Sequence, residues 1–461
     1  RVSPPWPKRC LTIYPSEIPA AVTPSCTPPG TYRPAAVSFS MPRFNSLPDW
    51  LLWQETLHPR KIDLGLERVA AVAERLRLLQ PDFGVITVAG TNGKGSSVAM
   101  LEAVLLAAGY RTGCYTSPHL QRYNERIRIQ GQEIDDTSLC TAFACVDKAR
   151  DDETLSYFEF GTLAALTLFS RASLDVVLLE VGMGGRLDAV NIMENDAALI
   201  TSIGIDHSAW LGTDRESIGY EKAGILRAGR PAVCSDPHPP RSIENRAREL
   251  GVDWFCLGQQ FTYQPAEDGW CWQGVNRVYD GLPLPSLAGR HQLNNAAGVL
   301  MILETLAGHY PVTRTAIEHG LKSVTLPARC QIQAGEFELV FDVAHNADSA
   351  GSLSQLLRNR PVAGVTRLVL AMLDDKDING FTTILEPLVD SWYLASLGGD
   401  RGLTAHDLQG RISWHRGEAD IQCFQDVCGA FRQAKAVSHR GDRLVVCGSF
   451  ITVAEALACH V

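Results

Sequence analysis

Short apolar runs alternate with longer stretches of helical spacing along most of the chain. The candidate strands are residues 85–89, 175–181, 198–203, 339–343, 367–371 and 444–447. Runs that are apolar at every position are typical of strands buried on both faces, and their alternation with helices is typical of a covered parallel sheet. The pattern from residue 47 onward therefore predicts an α/β protein built on parallel sheets.

Most of these candidate strands are followed directly by Gly, Asp, His or Asn. In open α/β sheets, ligands bind outside the carboxyl ends of the strands. We therefore expect binding sites at these strand ends.

The chain divides into three parts by composition. Residues 1–40 are rich in proline, which breaks helices and removes strand donors, so we predict a disordered or non-native N-terminal extension. A transit peptide is the competing interpretation, but this part has no Arg-rich amphipathic helix. We expect a larger domain over residues 41–325 and a smaller one over residues 326–461. Within the larger domain, residues 255–285 are rich in aromatics, Gly and Pro and predict small antiparallel strands or a loop.

Composition excludes several classes of protein. A formal net charge of −9 argues against a nucleic-acid surface, which needs clustered Lys and Arg. The 13 cysteines are scattered singly, which predicts free thiols in a reducing compartment and no structural disulfide. No apolar run reaches the roughly 18 residues of a membrane span, and no secretory signal is visible. We therefore predict a cytoplasmic protein that has no membrane partner.

The segment 85–97 has the layout of a phosphate-binding loop. A candidate strand leads into a glycine-rich turn and then into an apolar helix. Backbone N–H groups and the helix N-terminus attract an anion there, and Lys94 adds a full positive charge. Ser96 can offer its hydroxyl to a phosphate or a metal. The spacing departs from the GxxxxGK[ST] pattern, so a glycine-rich turn that only caps a helix is the alternative.

A second glycine cluster occupies residues 180–188. It lacks the third glycine of a dinucleotide fingerprint and a clear helix behind it, so we exclude a nicotinamide site. Glu180 ends an otherwise apolar strand, where a buried carboxylate needs a partner. Magnesium is one such partner, and a salt bridge to Arg186 or another basic group is the alternative. His207 ends the next candidate strand, as a ligand or as a hydrogen-bonding core residue.

These segments occur in an order that resembles one known family. The matching blocks are residues 62–68, 90–96, 116–120, 157–159, 180–188, 221–225, 291–296, 342–346, 375–377 and 447–450. Together they resemble the folylpolyglutamate synthase/dihydrofolate synthase family, relatives of the muramyl-peptide ligases. The resemblance implies a phosphate-loop ATPase domain on a parallel sheet, followed by a smaller Rossmann-like α/β glutamate ligase domain.

The resemblance also implies which residues bind ATP and Mg²⁺. The ATP phosphates would be held by Thr91, Asn92, Gly93, Lys94, Gly95 and Ser96, and the nucleotide by Asn295, Arg329 and Asp342. Magnesium would be held by Ser117, Glu180 and His207, so that Ser117 replaces Ser96 as the metal hydroxyl. Lys222 stands where the family carries a carbamylated lysine that organises a second metal. An ordinary solvated lysine is the alternative for Lys222.

The implied reaction is an ATP- and magnesium-dependent amide ligation of L-glutamate to dihydropteroate or a folate, through an acyl phosphate. The acceptor residues would be Ile62, Asp63, Leu64, Ser156, Tyr157, Phe158, Glu159 and Leu187. Lys94, Lys222 and His345 would be catalytic, and Ser449 would lie near the incoming glutamate. The resemblance implies a monomer whose partners are small-molecule substrates.

Two positions depart from the family pattern, and two other functions compete. Ala347 and Ala328 stand where the family commonly has Pro and Gly, which affects loop geometry more than chemistry. A muramyl-peptide ligase needs a nucleotide-sugar domain before the phosphate loop, but too few residues lie between Met41 and Gly90. The second competing function is an ATP-dependent switch, which would have the nucleotide site without an acceptor pocket.

Overall fold

The structure is a computed structural model that describes residues 42–60, 62–415 and 420–460. The predicted extension, residues 1–40, lies outside the described residues. The described residues belong to one compact unit, Phe39–Val461. None of the described helices is long and apolar enough to cross a membrane.

Strands and helices alternate through most of the described chain. The strands are β1 (Gly84–Ala89), β2 (Thr112–Tyr115), β3 (Ile127–Ile129), β4 (Gln132–Glu133), β5 (Val176–Glu180), β6 (Ala197–Ile200), β7 (Pro231–Cys234), β8 (Asp253–Cys256), β9 (Thr262–Ala266), β10 (Gly269–Gln273), β11 (Val278–Leu282), β12 (Gln331–Gln333), β13 (Glu338–Phe341), β14 (Thr366–Leu370), β15 (Ser391–Ala395), β16 (Asp420–Phe424) and β17 (Arg443–Cys447). The helices are α1 (Leu47–Leu57), α2 (Glu67–Arg75), α3 (Lys94–Ala107), α4 (Asp136–Arg150), α5 (Tyr157–Phe169), α6 (Ser208–Leu211), α7 (Arg215–Lys222), α8 (Arg241–Leu250), α9 (His291–Thr305), α10 (Arg314–Ser323), α11 (Ala347–Arg358), α12 (Ile378–Leu385), α13 (Ala405–Arg411), α14 (Val427–Ala436) and α15 (Phe450–Ala458).

The first sheet has eight strands in the order β4-β3-β2-β5-β1-β6-β7-β8. The strands from β2 to β8 in this order pair in parallel, whereas β3 and β4 form an antiparallel edge. Side chains on its two faces belong to two separate hydrophobic clusters. This two-sided burial explains why the strands are apolar at every position. The predicted strands at 85–89, 175–181 and 198–203 are confirmed as β1, β5 and β6.

A small antiparallel sheet, in the order β11-β10-β9, occupies the segment predicted from its aromatic and glycine content. Trp270 and Trp272 of β10 are fully buried. The Trp272 indole nitrogen donates to the carbonyl of Ala297 on α9, at 3.2 Å. The large apolar area of these rings attaches the small sheet to the helix layer of the first sheet.

The second sheet has six strands in the order β12-β13-β17-β14-β15-β16, all parallel except the edge strand β12. Hydrophobic clusters cover both of its faces. The strands predicted at 339–343, 367–371 and 444–447 are confirmed as β13, β14 and β17. The mixed α/β class with two successive parallel-sheet regions is therefore confirmed, and the boundary at residues 325/326 stays a prediction.

The segment between the two sheets contains the Ala328 departure. Ala328 has a φ of +58° and is fully buried. This left-handed conformation costs an alanine roughly 1–2 kcal/mol, which glycine avoids. The Ala328 carbonyl accepts from the Val343 amide at 3.0 Å, and the Asp342 carboxylate accepts from the Cys330 amide at 2.6 Å. These bonds hold the linker against the end of β13 despite the strain.

The structure pairs Cys428 of α14 with Cys459, which follows α15, as a disulfide. Their Cα atoms lie 5.8 Å apart, which is within the usual range for a bridge. The expectation of no structural disulfide is therefore wrong for this pair.

Replacing Trp272 with Ala should lower the free energy of unfolding by about 3–5 kcal/mol, because the change leaves a large cavity between β10 and α9. Val278 on the neighbouring strand is 61% exposed, so Val278→Ala should change stability by less than about 0.5 kcal/mol. Urea unfolding followed by tryptophan fluorescence and circular dichroism measures both. Equal losses for the two variants would contradict this account of the small sheet.

Candidate functional site

The carboxyl ends of the parallel strands of both sheets face one cavity of about 810 Å³. Its wall includes residues that follow β1, β5 and β6 in the first sheet and β13 and β17 in the second. Of the residues predicted from the sequence, Asn295 alone is missing from this wall. The predicted residues that line it are Ile62, Asp63, Leu64, Thr91, Asn92, Gly93, Lys94, Gly95, Ser96, Ser117, Ser156, Tyr157, Phe158, Glu159, Glu180, Leu187, His207, Lys222, Arg329, Asp342, His345 and Ser449.

The phosphate-binding loop lies between the end of β1 and the start of α3. Gly93 has a φ of +92°, and a Cβ atom there would overlap the side-chain amide of Asn295. Gly90 is similarly constrained by the side chain of Thr201. Asn295 therefore supports the loop from behind. The tight approach explains why the turn contains glycine at both positions.

Two lysines meet at this loop. The Lys94 ammonium donates to the carbonyls of Gly90 and Thr91 at 3.1 and 3.2 Å, and the Lys222 amine donates to the same Gly90 carbonyl at 2.8 Å. Burial lowers the pKa of both groups, and for Lys222 burial together with the nearby Lys94 charge lowers the pKa to about 7. The half-buried Lys94 ammonium and the buried Lys222 amine beside one glycine-rich turn form a site that suits a polyanion. Lys222 is buried, so the interpretation as a solvated lysine is wrong.

Glu180 ends β5 inside the cavity and is buried. Its carboxylate accepts from the Ser117 amide at 3.1 Å. Burial raises the pKa of Glu180, while the Lys94 charge opposes this shift. The predicted alternative partner, Arg186, instead pairs with Glu221 at 2.9 Å. Glu180 is therefore a buried carboxylate that a bound cation would stabilise.

Ser117, Glu180 and His207 together offer a hydroxyl, a carboxylate and an imidazole to the cavity. Burial lowers the pKa of His207 to about 4, so its ring is neutral near pH 7 and can act as a ligand. The described residues contain no group of three or more His, Cys, Asp or Glu that could hold a metal. A small donor set of this kind fits magnesium, which keeps several waters and phosphate oxygens as ligands.

Aromatic residues form another part of the cavity wall. Phe158 packs against Tyr115 with ring centroids 5.7 Å apart, and Tyr157 packs edge-on against Tyr123 at 5.6 Å. Gly182, after β5, leaves room for the Phe158 ring. Such rings offer flat apolar surface, which suits a planar aromatic ligand.

Contacts across the cavity join the two sheet regions. The Asp206 carboxylate accepts from the Lys376 ammonium at 2.5 Å and lies 3.2 Å from Nε2 of His345. Asn92 and Asn346 exchange side-chain hydrogen bonds at 3.2 and 3.1 Å. Asp206, Lys376 and Asn346 were not among the predicted site residues. Only their positions in the sequence could have pointed to them. Asn346 and Lys376 lie within matching blocks of the family, and Asp206 directly precedes His207.

The second-sheet residues are held mainly by local bonds. The Arg329 guanidinium lies 4.8 Å from the Phe450 ring centroid, and burial lowers its pKa. Asp342 accepts from the Cys330 and Ala344 amides, at 2.6 and 2.7 Å. The Ser449 hydroxyl caps α15 by accepting from the Thr452 amide at 3.0 Å.

The fold and the site together define a class. A phosphate-type loop with Lys94 and the buried Lys222, a metal-type donor set and an aromatic pocket share one cavity, which a second α/β region closes. This is the arrangement of a Mur-type, nucleotide-dependent ligase. Residues 328–450 match the model of the Mur ligase glutamate ligase domain.

Known proteins similar to this chain narrow the class. The chain is 45% identical to the dihydrofolate synthase/folylpolyglutamate synthase of Escherichia coli strain K12, over 89% of this chain and 94% of that protein. It resembles the structure of E. coli FolC in complex with DHPP and ADP, at 44% identity and a TM-score of 0.85, over 90% of this chain and 97% of that one. A bifunctional folylpolyglutamate synthase/dihydrofolate synthase with Mn, AMPPNP and L-glutamate bound is 46% identical, with a TM-score of 0.83, over 90% and 98% of the two chains.

The chain belongs to the dihydrofolate synthase/folylpolyglutamate synthase family. It is a ligase of folate metabolism that carries out ATP-dependent glutamate ligation.

Gly93→Ala should abolish ATP binding while the protein stays folded. Alanine would be strained in the left-handed backbone conformation at this position, and its methyl group would overlap Asn295. Gly109, beyond α3, is the matched control, since it has a φ of +90° but open space around it. Gly109→Ala should cost about 1 kcal/mol of stability and leave ATP binding unchanged. Titration with a fluorescent ATP analogue measures both. Normal binding by Gly93→Ala would contradict the assigned loop.

Proposed function

We propose that this protein adds L-glutamate to dihydropteroate, forming dihydrofolate, and also to folates that already carry glutamate. The observation that carries this proposal is the single cavity shared by the phosphate loop, the aromatic pocket and the second-sheet residues. The proposal is supported by the relatives, whose names pair both activities, and by the ligands of the related structures. Small molecules are thus its proposed partners. A monomeric state and a cytoplasmic location stay predictions.

The first step activates the acceptor acid. A carboxylate is a poor electrophile at neutral pH, so one of its oxygens attacks the γ-phosphorus of ATP. An O–P bond forms, the bond to the bridging oxygen breaks, and ADP leaves. Lys94 and Arg329 would stabilise the charge on the transferring phosphoryl group, and the backbone amides at residues 91–96 would orient it. Asp342 would hold the nucleotide from the second sheet.

The second step forms the amide. The neutral glutamate amine attacks the carbonyl carbon of the acyl phosphate and a C–N bond forms. Phosphate leaves with the electron pair of the broken C–O bond and takes up the proton that the nitrogen loses. Water must be excluded, because an acyl phosphate also hydrolyses. The contacts of Asp206 with Lys376 and His345 join the two sheet regions across the cavity and would help to exclude water.

His345 suits an anchoring role better than that of a base. Its Nδ1 lies 2.8 Å from the Val343 carbonyl and its Nε2 lies 3.2 Å from the Asp206 carboxylate. Both ring nitrogens thus already have partners within the protein, so neither is free to take a proton from the amine. Ser449 would contribute to the glutamate pocket through the start of α15.

Ser117, Glu180 and His207 would hold the divalent cation. The cation would neutralise phosphate charge and supply Lewis acidity at the phosphoryl group. A second cation would be organised by a carbamate on Lys222. That modification joins the neutral amine to CO₂, forms an N–C bond and releases one proton. The low pKa of the Lys222 amine supports it, because much of the amine is uncharged near pH 7.

The proposed function is tested by incubating the protein with ATP, Mg²⁺, labelled glutamate and either dihydropteroate or tetrahydrofolate, and resolving the products by mass. Amide product should appear with both acceptors. Lys94→Ala and Glu180→Ala should lower the rate by at least about 100-fold, because each removes a charge at the phosphoryl group. A protein that hydrolyses ATP at full rate without acceptor and glutamate would instead be a switch.

Carbamylation of Lys222 should rise with pH through about 7, because only the neutral amine reacts with CO₂. Native mass spectrometry in bicarbonate should show the mass of one added CO₂, and less of it as the pH falls below 7. Lys222→Ala should lose activity and regain part of it with short carboxylic acids. Absence of both the added mass and the rescue would exclude the carbamate.

A further inference from the structure

Two segments of the proposed acceptor pocket are far apart in the sequence but joined by one side chain. Ile62, Asp63 and Leu64 belong to the loop before α2, and Ser156 to Glu159 form the start of α5. Both segments line the cavity. Arg68, on α2, does not line the cavity, yet it contacts both segments.

The Arg68 guanidinium makes three hydrogen bonds. One terminal nitrogen donates to Oδ2 of Asp63 at 2.9 Å, and the other donates to the Asp63 carbonyl at 3.0 Å and to Oε1 of Glu159 at 3.1 Å. The Glu159 side chain is only 4% exposed. A planar guanidinium holds two groups in a fixed geometry, which a lysine ammonium does not do.

The Asp63 carboxylate already accepts hydrogen bonds from other side chains of the protein. Besides Arg68, it accepts from His58 at 3.0 Å and from Arg60 at 3.2 Å. His58 is in turn bonded to Thr154 at 2.9 Å, which lies just before α5. A carboxylate with three donors already in place serves as the anchor of its loop, and the loop around it presents the surface that faces a ligand.

The Glu159 carboxylate is occupied in a similar way. Its Oε2 accepts from the Ser156 amide at 2.7 Å, in a capping box that starts α5. Its other oxygen is bonded to Arg68. Arg68 therefore connects the start of the helix that carries Tyr157 and Phe158 to the loop that carries Asp63.

We propose that Arg68 is a positioning residue for the acceptor. It fixes the distance between the loop at 62–65 and the start of α5, so that the pocket for the pterin ring is formed before the acceptor binds. This inference rests on the proposed function. Because the side-chain hydrogen bonds of Arg68 go to Asp63 and Glu159, its loss should affect acceptor binding and leave nucleotide binding unchanged.

The test measures KM for each substrate in the wild type and in Arg68→Lys. The variant keeps the charge but cannot bridge both carboxylates, so KM for dihydropteroate should rise by about tenfold or more, as expected for the loss of a charged hydrogen bond. KM for ATP should change by less than about twofold. Arg75→Ala is the control on the same helix, since the Arg75 guanidinium donates to the Ala149 and Arg150 carbonyls, which belong to neither segment. It should leave every KM unchanged.

A double-mutant cycle with Glu159→Gln separates positioning from general destabilisation. If Arg68 acts through Glu159, the effects of the two substitutions on dihydropteroate KM should be smaller together than their product. Three outcomes would overturn the role of Arg68. The two fold-changes in dihydropteroate KM could multiply fully in the double variant, Arg68→Lys could leave dihydropteroate KM unchanged, or it could raise the KM for ATP equally. Absence of amide product from the wild type would instead defeat the proposed function itself.

Discussion

The site depends on the burial of opposite charges at the ends of parallel strands. Glu180 and Lys222 are buried and Lys94 is half-buried beside them, and an unpaired charge in such a place is costly. The pKa shifts of these groups show the cost: burial lowers the pKa of both lysines and raises that of Glu180. A nucleotide phosphate and a divalent cation would supply the missing partners. The free protein thus keeps charges poised for ligands, at the expense of its own stability.

The rest of the architecture maintains this arrangement. The apolar strands of the first sheet fix β1 and β5 side by side, so that the phosphate loop and Glu180 meet at the same edge. The second sheet closes the cavity from the other side, through Asp206, Lys376 and the Asn92–Asn346 pair. Closure matters chemically, because an activated acyl group survives only where water is excluded.

Paired charges also hold the acceptor pocket together. Its aromatic wall is on α5, whereas its loop precedes α2, and the Arg68 guanidinium joins the two through Asp63 and Glu159. Charged groups that are satisfied by each other can hold a pocket open without contacting the ligand. The pocket can therefore remain aromatic and apolar where a flat ring would lie.

The sequence by itself determined the α/β class and the central strands, because strand periodicity, glycine-rich turns and strand-end polar residues are local features. The family resemblance added most of the site residues, and all of the predicted site residues except Asn295 line the cavity. Tertiary structure decided what those residues do to each other. It placed Asn295 behind Gly93 rather than on the wall, paired Arg186 with Glu221 instead of Glu180, and paired Cys428 with Cys459. It also brought Asp206 to Lys376 and Arg68 to Glu159. Such pairings join residues far apart in the chain, and their distances depend on how helices and sheets pack, which no local pattern encodes.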